Sequence, residues 1–256
     1  PLESAAAEAR RLAEEGYREL VLTGIETGAY NRMPLGELAA RVAAVPGVER
    51  IRLGSLDPAC VTAALAARLS ALPNFMPHFH LSLQSGSDSV LRRMRRPYDS
   101  AGAQRAIDRL RDAFPDLMLS ADVISGFPGE TEEEFAQTCA FIERNSFAHI
   151  HAFPFSPREG TPAAAMEGRL PPGEAKARNE RLIALAERVR ARVLHSRIGG
   201  TETVLLERTD GDCGSGHTAG FLECVVRGAG LRVGELIAVR VTGVENGVLL
   251  AVSESL

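Results

Sequence analysis

Polar and ring-bearing side chains alternate with apolar ones along three segments of this chain. The residues that would share one strand face are, segment by segment, His78, His80, Ser82 and Gln84; Ser120, Asp122 and Ile124; and His149, His151 and Phe153. Side chains two residues apart on a strand point the same way. The lumen of a parallel barrel is ordinarily filled with Val, Ile and Leu, so a polar lumen indicates a ligand there. An internal hydrogen-bond network without a ligand is the alternative.

Each of these segments runs into a turn marked by glycine or proline. Gly126 and Gly129 would let the backbone approach a ligand closely, and Thr131 with Glu134 forms a predicted capping box at the next helix. A helix start at this point favours an anionic group nearby. An ordinary tight turn explains the same residues. Gln84 and Ser85 lead into a second helix start, which Ser87 or Asp88 would cap.

The densest positive patch follows at residues 92–96, with the sequence Arg-Arg-Met-Arg-Arg. These cations could simply complement the end of a solvated helix. They could also clamp a ligand carboxylate or contact phosphate. The patch leaves these interpretations open. Arg158 lies in a proline-stiffened segment, 156–162, that we expect at the mouth of the barrel.

Strand and helix patterns alternate up to about residue 160, with a spacing typical of βα repeats and a parallel sheet. The predicted strands are 18–23, 48–54, 78–84, 118–124 and 148–155. The predicted helices are 4–15, 35–45, 58–72, 101–114 and 131–145, and a long charged helix follows at 172–196. The pattern predicts an α/β fold, a partial (β/α) barrel that lacks its first strand. Because the chain also begins with Pro1, we expect it to be a fragment.

The last part of the chain changes to short apolar or alternating runs between glycine-rich turns. We therefore predict two domains, a partial barrel with its linking helix at 1–198 and a small all-β barrel of the OB type at 199–256. Asn246-Gly247 predicts a tight hairpin within the second domain.

Composition excludes several classes of protein. The 256 residues carry a net charge of −4, which gives no general attraction to nucleic acid, and 45% of them are hydrophobic, as in ordinary globular proteins. No apolar run is long enough to span a membrane. The four cysteines are far apart, which suits a reducing cytoplasm.

Three segments, taken in order, carry a family resemblance: LSLQSGSDSVLRRMRRPYD, DVISGFPGETEEEF and FPFSPREGTPAA. They resemble the methylthiotransferase branch of the radical S-adenosylmethionine (SAM) enzymes, as does the opening GYRELVLTGIETGAY. The final β domain resembles the TRAM RNA-binding module of these enzymes. VLTGIETGAY and RIRLGSLDP are most similar to the branch that modifies N6-threonylcarbamoyladenosine beside the tRNA anticodon. Other branches modify isopentenyladenosine in tRNA or an aspartate of a ribosomal protein.

The resemblance implies SAM and two 4Fe-4S clusters as cofactors, and tRNA and an electron donor as partners, for a monomeric enzyme that adds a methylthio group at C2 of the adenine. The residues that it places near SAM are Thr23, Gly24, Glu26, Gln84, Ser85, Arg93, Arg96, Asp122, Gly126 and Phe127. The residues that it places near the substrate are Arg158, Arg208, Phe221 and Arg227. The family's CxxxCxxC cluster loop does not occur here, so we expect no metal ligands in this chain and no turnover by the chain alone.

Two other functions fit parts of the pattern. The H-x-H pairs at 78–80 and 149–151 are typical of metal-dependent hydrolases, since imidazoles two apart on a strand can share a metal. A non-catalytic RNA-binding protein would use the second domain, in which basic grooves and aromatic rings contact nucleic acid.

Overall fold

The computed structural model describes residues 2–24 and 33–254 of the chain. The first part contains five strands, β1 (Glu19–Leu22), β2 (Arg50–Leu53), β3 (His78–Gln84), β4 (Met118–Ser125) and β5 (His149–Pro154). Its helices are α1 (Leu2–Glu14), α2 (Leu35–Ala43), α3 (Ala63–Ser70), α4 (Asp88–Arg93), α5 (Ser100–Ala113), α6 (Glu132–Asn145) and α7 (Pro172–His195). No described helix is both long enough and apolar enough to cross a bilayer.

The five strands form an open parallel half-barrel. β1 pairs with β2, and β3, β4 and β5 form a second ladder, all in parallel. Two single bridges, between Ile51 and Phe75 and between Leu56 and Leu81, join the two ladders. Residues such as Phe79 and Leu81 on the outer face pack into one apolar core under the helices. The predicted α/β partial barrel is therefore confirmed in its strand order and direction.

One predicted helix is interrupted. The segment expected as a helix over 58–72 consists of a short 3₁₀ turn, Pro58–Cys60, followed by α3. The break arises because Asp57 and Thr62 each cap a separate start, accepting from the backbone N–H groups of Ala59 and Leu65. Two capping side chains five residues apart favour two short elements over one long helix.

The second part is a closed five-stranded barrel. Its strands are β6 (Thr201–Asp210), β7 (Cys213–Thr218), β8 (Glu223–Arg227), β9 (Leu236–Glu245) and β10 (Val248–Ser253), in the order β10-β8-β7-β6-β9. Asn246 and Gly247 join β9 to β10 with φ angles of 50° and 76°, the left-handed pair that a tight hairpin needs. Closure leaves no unpaired strand edge. The predicted small β-barrel and its hairpin are thus both present.

Two buried arginines hold this barrel against the amino-terminal ends of the parallel strands. Arg50 donates to the carbonyls of His217 and Thr203 at 3.0 and 2.5 Å, and Arg52 donates to those of Ala219 and Thr218 at 2.7 and 3.0 Å. Each arginine is only 2% exposed. Since burying an unpaired guanidinium is costly, the four carbonyls make this docking geometry specific.

Glu19 supplies the counter-charge to both arginines. Its carboxylate accepts from Arg52 Nε at 2.7 Å and lies 3.7 Å from Arg50 Nη1. The three side chains occupy neighbouring positions in the lumen-facing register of β1 and β2. This end of the half-barrel is consequently filled by an ion cluster rather than by aliphatic side chains.

Close packing and α7 complete the junction. A Cβ atom added at Gly220 would lie 2.5 Å from Met118 Cγ, so a side chain at this position would require the Met118 side chain to move. From α7, Arg190 donates to the carbonyls of Ala148 and Gly247, at 3.1 and 3.0 Å, and thereby bridges both parts. Ala148 also belongs to the apolar core of the β-barrel.

Replacing Arg52 by alanine is expected to lower the free energy of unfolding by about 3 kcal/mol, because it leaves the Glu19 carboxylate buried without its main partner. Urea denaturation followed by circular dichroism measures this change. The matched control is Arg18→Ala, whose ion pair with Glu49 is about 42% exposed on each side, and no resolvable change is expected there. Equal effects of the two variants would contradict the role of the buried cluster.

Candidate active site in the barrel lumen

A chain of hydrogen-bonding side chains crosses the lumen face of β3 and β4. His78 Nε2 lies 3.0 Å from Ser120 Oγ, and the same hydroxyl lies 2.9 Å from His80 Nδ1. His80 Nε2 in turn lies 3.1 Å from Asp122 Oδ2. The parallel register explains the contacts, because it sets His80 beside Ser120 and Asp122 beside His151. The faces predicted from alternation are therefore the faces that meet.

His80, Asp122 and His151 form the more exposed end of this hydrogen-bonded series. One ligand-type atom from each lies within 4.8 Å of the others. The hydrogen bond from His80 lowers the pKa of Asp122, so this carboxyl group is ionised near neutral pH. Partial burial, and then the neighbouring His80, lower the pKa of His151 and favour its neutral imidazole. Such a group can accept or deliver a proton at the lumen.

Among the described residues, these three are the group whose side chains could together bind a metal ion. Two imidazoles and one carboxylate are ligands of mononuclear zinc and iron centres. Ser120 would orient His80 from the outside, as second ligand shells do. The short contact between His80 and Asp122 is equally well accounted for as a direct hydrogen bond.

Below this group a cavity of about 520 Å³ extends to the β-barrel. Phe221 forms part of its wall with its ring stacked on His78 and His217, at centroid distances of 5.0 and 4.6 Å. Arg52 lies over the same ring at 5.0 Å. The size falls in the range of small-molecule sites. Phe221, predicted to contact substrate, thus lies at the junction of the two parts.

The carboxyl ends of β1, β2 and β3 add hydroxyl groups to the lumen. Ser55 Oγ and Ser82 Oγ are 2.6 Å apart. Thr23 approaches Gly54 so closely that a Cβ on this glycine would lie 2.6 Å from Thr23 Oγ1. Thr23 and its neighbour Gly24 are exposed here. Glu26, predicted to contact SAM, lies outside the described residues.

Gln84 and Ser85 lie at the end of β3 but are buried. Gln84 is 9% exposed and has a φ of 64°, a left-handed conformation that is unusual for glutamine. Ser85 Oγ lies 3.0 Å from Thr138 Oγ1 and accepts from the Ser87 amide at 3.1 Å. Ser85 therefore ties the end of β3 to α6.

The turn after β4 is closed by its own glutamate. The Glu130 carboxylate accepts from the Gly126 amide at 2.7 Å and pairs with Arg178 of α7 at 2.9 Å. Burial raises the pKa of Glu130 despite these partners. Phe127 is buried edge-to-face against Phe155, with centroids 5.2 Å apart. The anionic group expected at this turn is thus supplied within the chain.

The predicted arginines lie in different surroundings. Arg93 binds Glu134 at 2.7 Å and lowers the pKa of this carboxyl to about 2, whereas Arg96 is 3.7 Å from Asp57. Glu134 also completes the predicted capping box with Thr131. Three further predicted arginines are exposed, namely Arg158 beyond β5, Arg208 on β6 and Arg227 on β8. The structure does not gather these arginines at the lumen.

Sequence reasoning missed Glu19, Arg50, Arg52 and Arg190. The signal for two of them was present in the segment Arg50-Ile51-Arg52-Leu53, which alternates charged and apolar residues on a predicted strand. Alternation on a barrel strand places the charges toward the lumen. Their partners are backbone carbonyls more than 150 positions later in the chain, and no local pattern identifies those.

Comparison with known proteins agrees with this architecture. The sequence profile described as the Radical SAM superfamily matches residues 1–142, which is more than half of the chain. The chain belongs to the radical SAM superfamily. The solved coproporphyrinogen III oxidase HemN of Escherichia coli, itself a radical SAM enzyme, superposes with a TM-score of 0.58 over 85% of this chain and 59% of its own, at 14% identity. Methylornithine synthase (PylB) superposes with a TM-score of 0.52 over 73% of this chain and 53% of its own, at 17% identity. These two likenesses concern the fold.

Sequence relatives of this radical SAM chain are more similar. It is 38% identical to the threonylcarbamoyladenosine tRNA methylthiotransferase MtaB of Thermotoga maritima, over 97% of this chain and 58% of the relative. The corresponding MtaB of Bacillus subtilis is 36% identical over 91% of this chain and 54% of the relative. The tRNA-2-methylthio-N(6)-dimethylallyladenosine synthase of Thermobifida fusca is 39% identical over 80% of this chain and 42% of the relative. This radical SAM chain spans about half the length of these relatives.

The cysteines of this radical SAM chain do not fit an iron–sulfur cluster. Cys60 and Cys139 are half-buried in the barrel part, Cys213 is exposed and Cys224 is buried in the β-barrel. Burial raises the pKa of Cys139 to about 11 and that of Cys224 to about 12, which disfavours the thiolate that binds iron. Within the described ranges, no cysteine joins a group of three metal-type ligands.

Acid is expected to weaken the junction through His78. Burial first, and the charge of Arg52 second, lower the pKa of His78 to about 3, against 6.5 for an ordinary histidine. Between these two values the unfolded chain binds a proton that the folded chain does not. The contribution of neutral His78 to the free energy of unfolding is therefore complete above pH 6.5. It declines toward pH 3, by at most about 1.4 kcal/mol per pH unit.

Denaturation midpoints measured across this pH range should fall less steeply for His78→Gln than for the parent chain. His195→Gln, on the exposed end of α7, is the control and should keep the parent slope. Parallel curves for the parent and His78→Gln would show that His78 does not carry the dependence.

Proposed function

We propose that this chain is the catalytic-barrel and β-barrel part of a tRNA methylthiotransferase that acts at C2 of N6-threonylcarbamoyladenosine beside the anticodon. The observation that carries the proposal is the match to MtaB relatives at 34–38% identity over more than 90% of the chain. The dimethylallyladenosine synthase of Thermobifida fusca matches a smaller share, 80%. Threonylcarbamoyladenosine is therefore favoured as the substrate over dimethylallyladenosine.

The lumen supplies the polar surface that SAM and an adenine would need. Thr23 directly follows β1, Gln84 is the last residue of β3, and Asp122 lies in the second half of β4. Ligands of parallel barrels bind at the carboxyl ends of the strands. We place SAM against these residues together with Gly24, Glu26, Ser85, Gly126 and Phe127. When bound, SAM would supply the methyl group that ends on the added sulfur. Arg93 and Arg96 are engaged by Glu134 and Asp57, so they are less suited to its carboxylate.

His80 and Asp122 are the residues to which we assign proton handling. Their contact of 3.1 Å lets Asp122 stabilise a charge on His80 Nε2, while Ser120 holds Nδ1 at 2.9 Å. A carboxylate at one ring nitrogen and a hydroxyl at the other fix the orientation and the tautomer of the histidine. The pair can thus take up a proton released near the substrate ring.

The β-barrel is proposed as the TRAM module that grips tRNA. Arg208 and Arg227 are exposed on β6 and β8, toward the hairpin end remote from the parallel strands. Phosphate contacts from exposed arginines position an RNA without reading its sequence. Arg158 would meet the RNA nearer the barrel mouth. We expect a cytoplasmic, monomeric enzyme that receives electrons from a separate donor.

Joining this chain to the part of the Thermotoga maritima relative that the match does not cover should give an active enzyme. In cells that lack their own enzyme, liquid chromatography with mass spectrometry of digested tRNA should then show 2-methylthio-N6-threonylcarbamoyladenosine. If the 2-methylthio derivative of dimethylallyladenosine appears instead, dimethylallyladenosine and not threonylcarbamoyladenosine is the substrate. His80→Gln should reduce the product at least about tenfold, because proton transfer contributes at least that much to such reactions. His195→Gln should not.

The chain by itself is expected to remain free of clusters. After anaerobic incubation with iron, sulfide and a reductant, the desalted chain should contain far less than one cluster per molecule by iron analysis and visible absorption. The reason is that its thiols are dispersed and, at two positions, protonated by burial. A stoichiometric cluster whose signal disappears in a variant with all four cysteines replaced by serine would contradict this expectation.

A further inference from the structure

A hollow of about 580 Å³ lies on the outer side of α4 and α5, away from the lumen group described above. Its charged lining residues are four arginines and two aspartates, namely Arg92, Arg96, Arg105, Arg109, Asp88 and Asp99. The excess is positive although the whole chain carries −4. Local accumulation of cations against the overall charge is the electrostatic signature of an anion-binding surface.

Both aspartates in the hollow are already occupied by backbone donors. Asp88 Oδ1 accepts from the Ser100 amide at 2.8 Å, and Asp99 Oδ1 accepts from the Gly102 amide at 2.6 Å at the start of α5. The hydrogen bonds from Ser100 lower the pKa of Asp88. The carboxylates thus fix the start of α5, and the charge of Arg92 acts on Asp88 without a direct ion pair between them.

The arginines keep donor capacity for a ligand. Among the described residues, no carboxylate lies within ion-pair distance of Arg92 or Arg105, and both side chains are exposed. Arg109 spends one donor on the Val61 carbonyl at 3.1 Å, and Arg96 has only its distant contact with Asp57 at 3.7 Å. A guanidinium carries five N–H donors in a fork that matches phosphate oxygens. The four arginines line the hollow, and their printed contacts among the described residues use only a small part of this donor capacity.

The framework around the arginines is fixed before any ligand arrives. Arg105 and Arg109 are four residues apart on α5 and therefore share a helix face. Tyr98 donates its hydroxyl to the carbonyls of Ser82 and Leu83, at 2.7 and 3.1 Å, and anchors the loop between α4 and α5 to β3. Through Tyr98 the hollow borders the strand that carries His80 into the lumen.

We propose that this arginine hollow binds the phosphodiester backbone of the RNA whose adenosine enters the lumen. The inference rests on the proposed function for the identity of the RNA. A backbone fits better than a single anion because the cations come from two helices and a connecting loop, and they border a space of about 580 Å³. The hollow would bind the RNA in addition to Arg208 and Arg227.

The test compares two double variants of the whole chain that change charge equally. Arg92→Ala/Arg105→Ala removes two cations from the hollow, and Arg188→Ala/Arg192→Ala removes two exposed cations from α7. The probe is a fluorescein-labelled tRNA anticodon stem-loop, titrated by anisotropy over a series of KCl concentrations. The hollow variant should bind about tenfold more weakly or worse. Its plot of log K against log salt should lose about two units of slope, one for each phosphate contact. The α7 variant should match the parent.

Each other outcome overturns the proposal in a distinguishable way. If the chain binds the stem-loop and both double variants match the parent, the hollow is not the contact and the proposed function is unaffected. If the chain shows no salt-dependent RNA binding at all, the hollow and the tRNA substrate both lose their support. If inorganic phosphate displaces the RNA far better than KCl of equal ionic strength, the hollow is a single-anion pocket.

Thermal unfolding of both double variants should stay at the parent temperature, since the replaced side chains are exposed. If the hollow variant unfolds at a lower temperature than the parent, the single variant Arg105→Ala replaces it in the RNA-binding titration. Its expected loss is about one unit of slope.

Discussion

The fixed relation between the two parts of this protein depends on two guanidinium groups buried where a barrel normally holds aliphatic side chains. Arg50 and Arg52 bind four carbonyls of the β-barrel, and Glu19 offsets part of their charge. An apolar contact would allow the two parts to slide against each other, whereas directed hydrogen bonds to backbone carbonyls define one orientation of the β-barrel. The β-barrel consequently closes the amino-terminal end of the half-barrel and forms the floor of the cavity under the histidines.

Above this floor, the exposure of the polar side chains in the hydrogen-bonded series increases toward the carboxyl ends of the strands. His78 is enclosed and neutral, Ser120 links it to His80, and His80 meets Asp122 and the exposed His151. Groups with different exposure along one hydrogen-bonded chain have different proton affinities, and this is how proteins separate structural from reactive titratable residues. The apolar outer faces of the same strands anchor the chain of polar groups in a rigid core.

Much of this arrangement could be predicted from the sequence, because the period of two along each strand decides which side chains share a face. His80, Asp122 and His151 were brought together by that argument and by the parallel register. Ser85 could not be placed in this way, since its burial follows from Thr138 of α6, a contact between distant segments. The same holds for Arg50 and Arg52, whose partners are carbonyls that carry no side-chain signature.

The hydrogen bond between Gly126 and Glu130, together with the ion pair between Glu130 and Arg178, affects the entropy that is lost when a ligand binds. Because a carboxylate from the turn itself already satisfies the Gly126 amide, and α7 fixes that carboxylate in place, the turn holds its shape in the empty protein. A nucleoside arriving beside it would lose its own freedom but would not have to order the polypeptide as well. The entropic cost of ordering this turn is therefore absent from the free energy of binding.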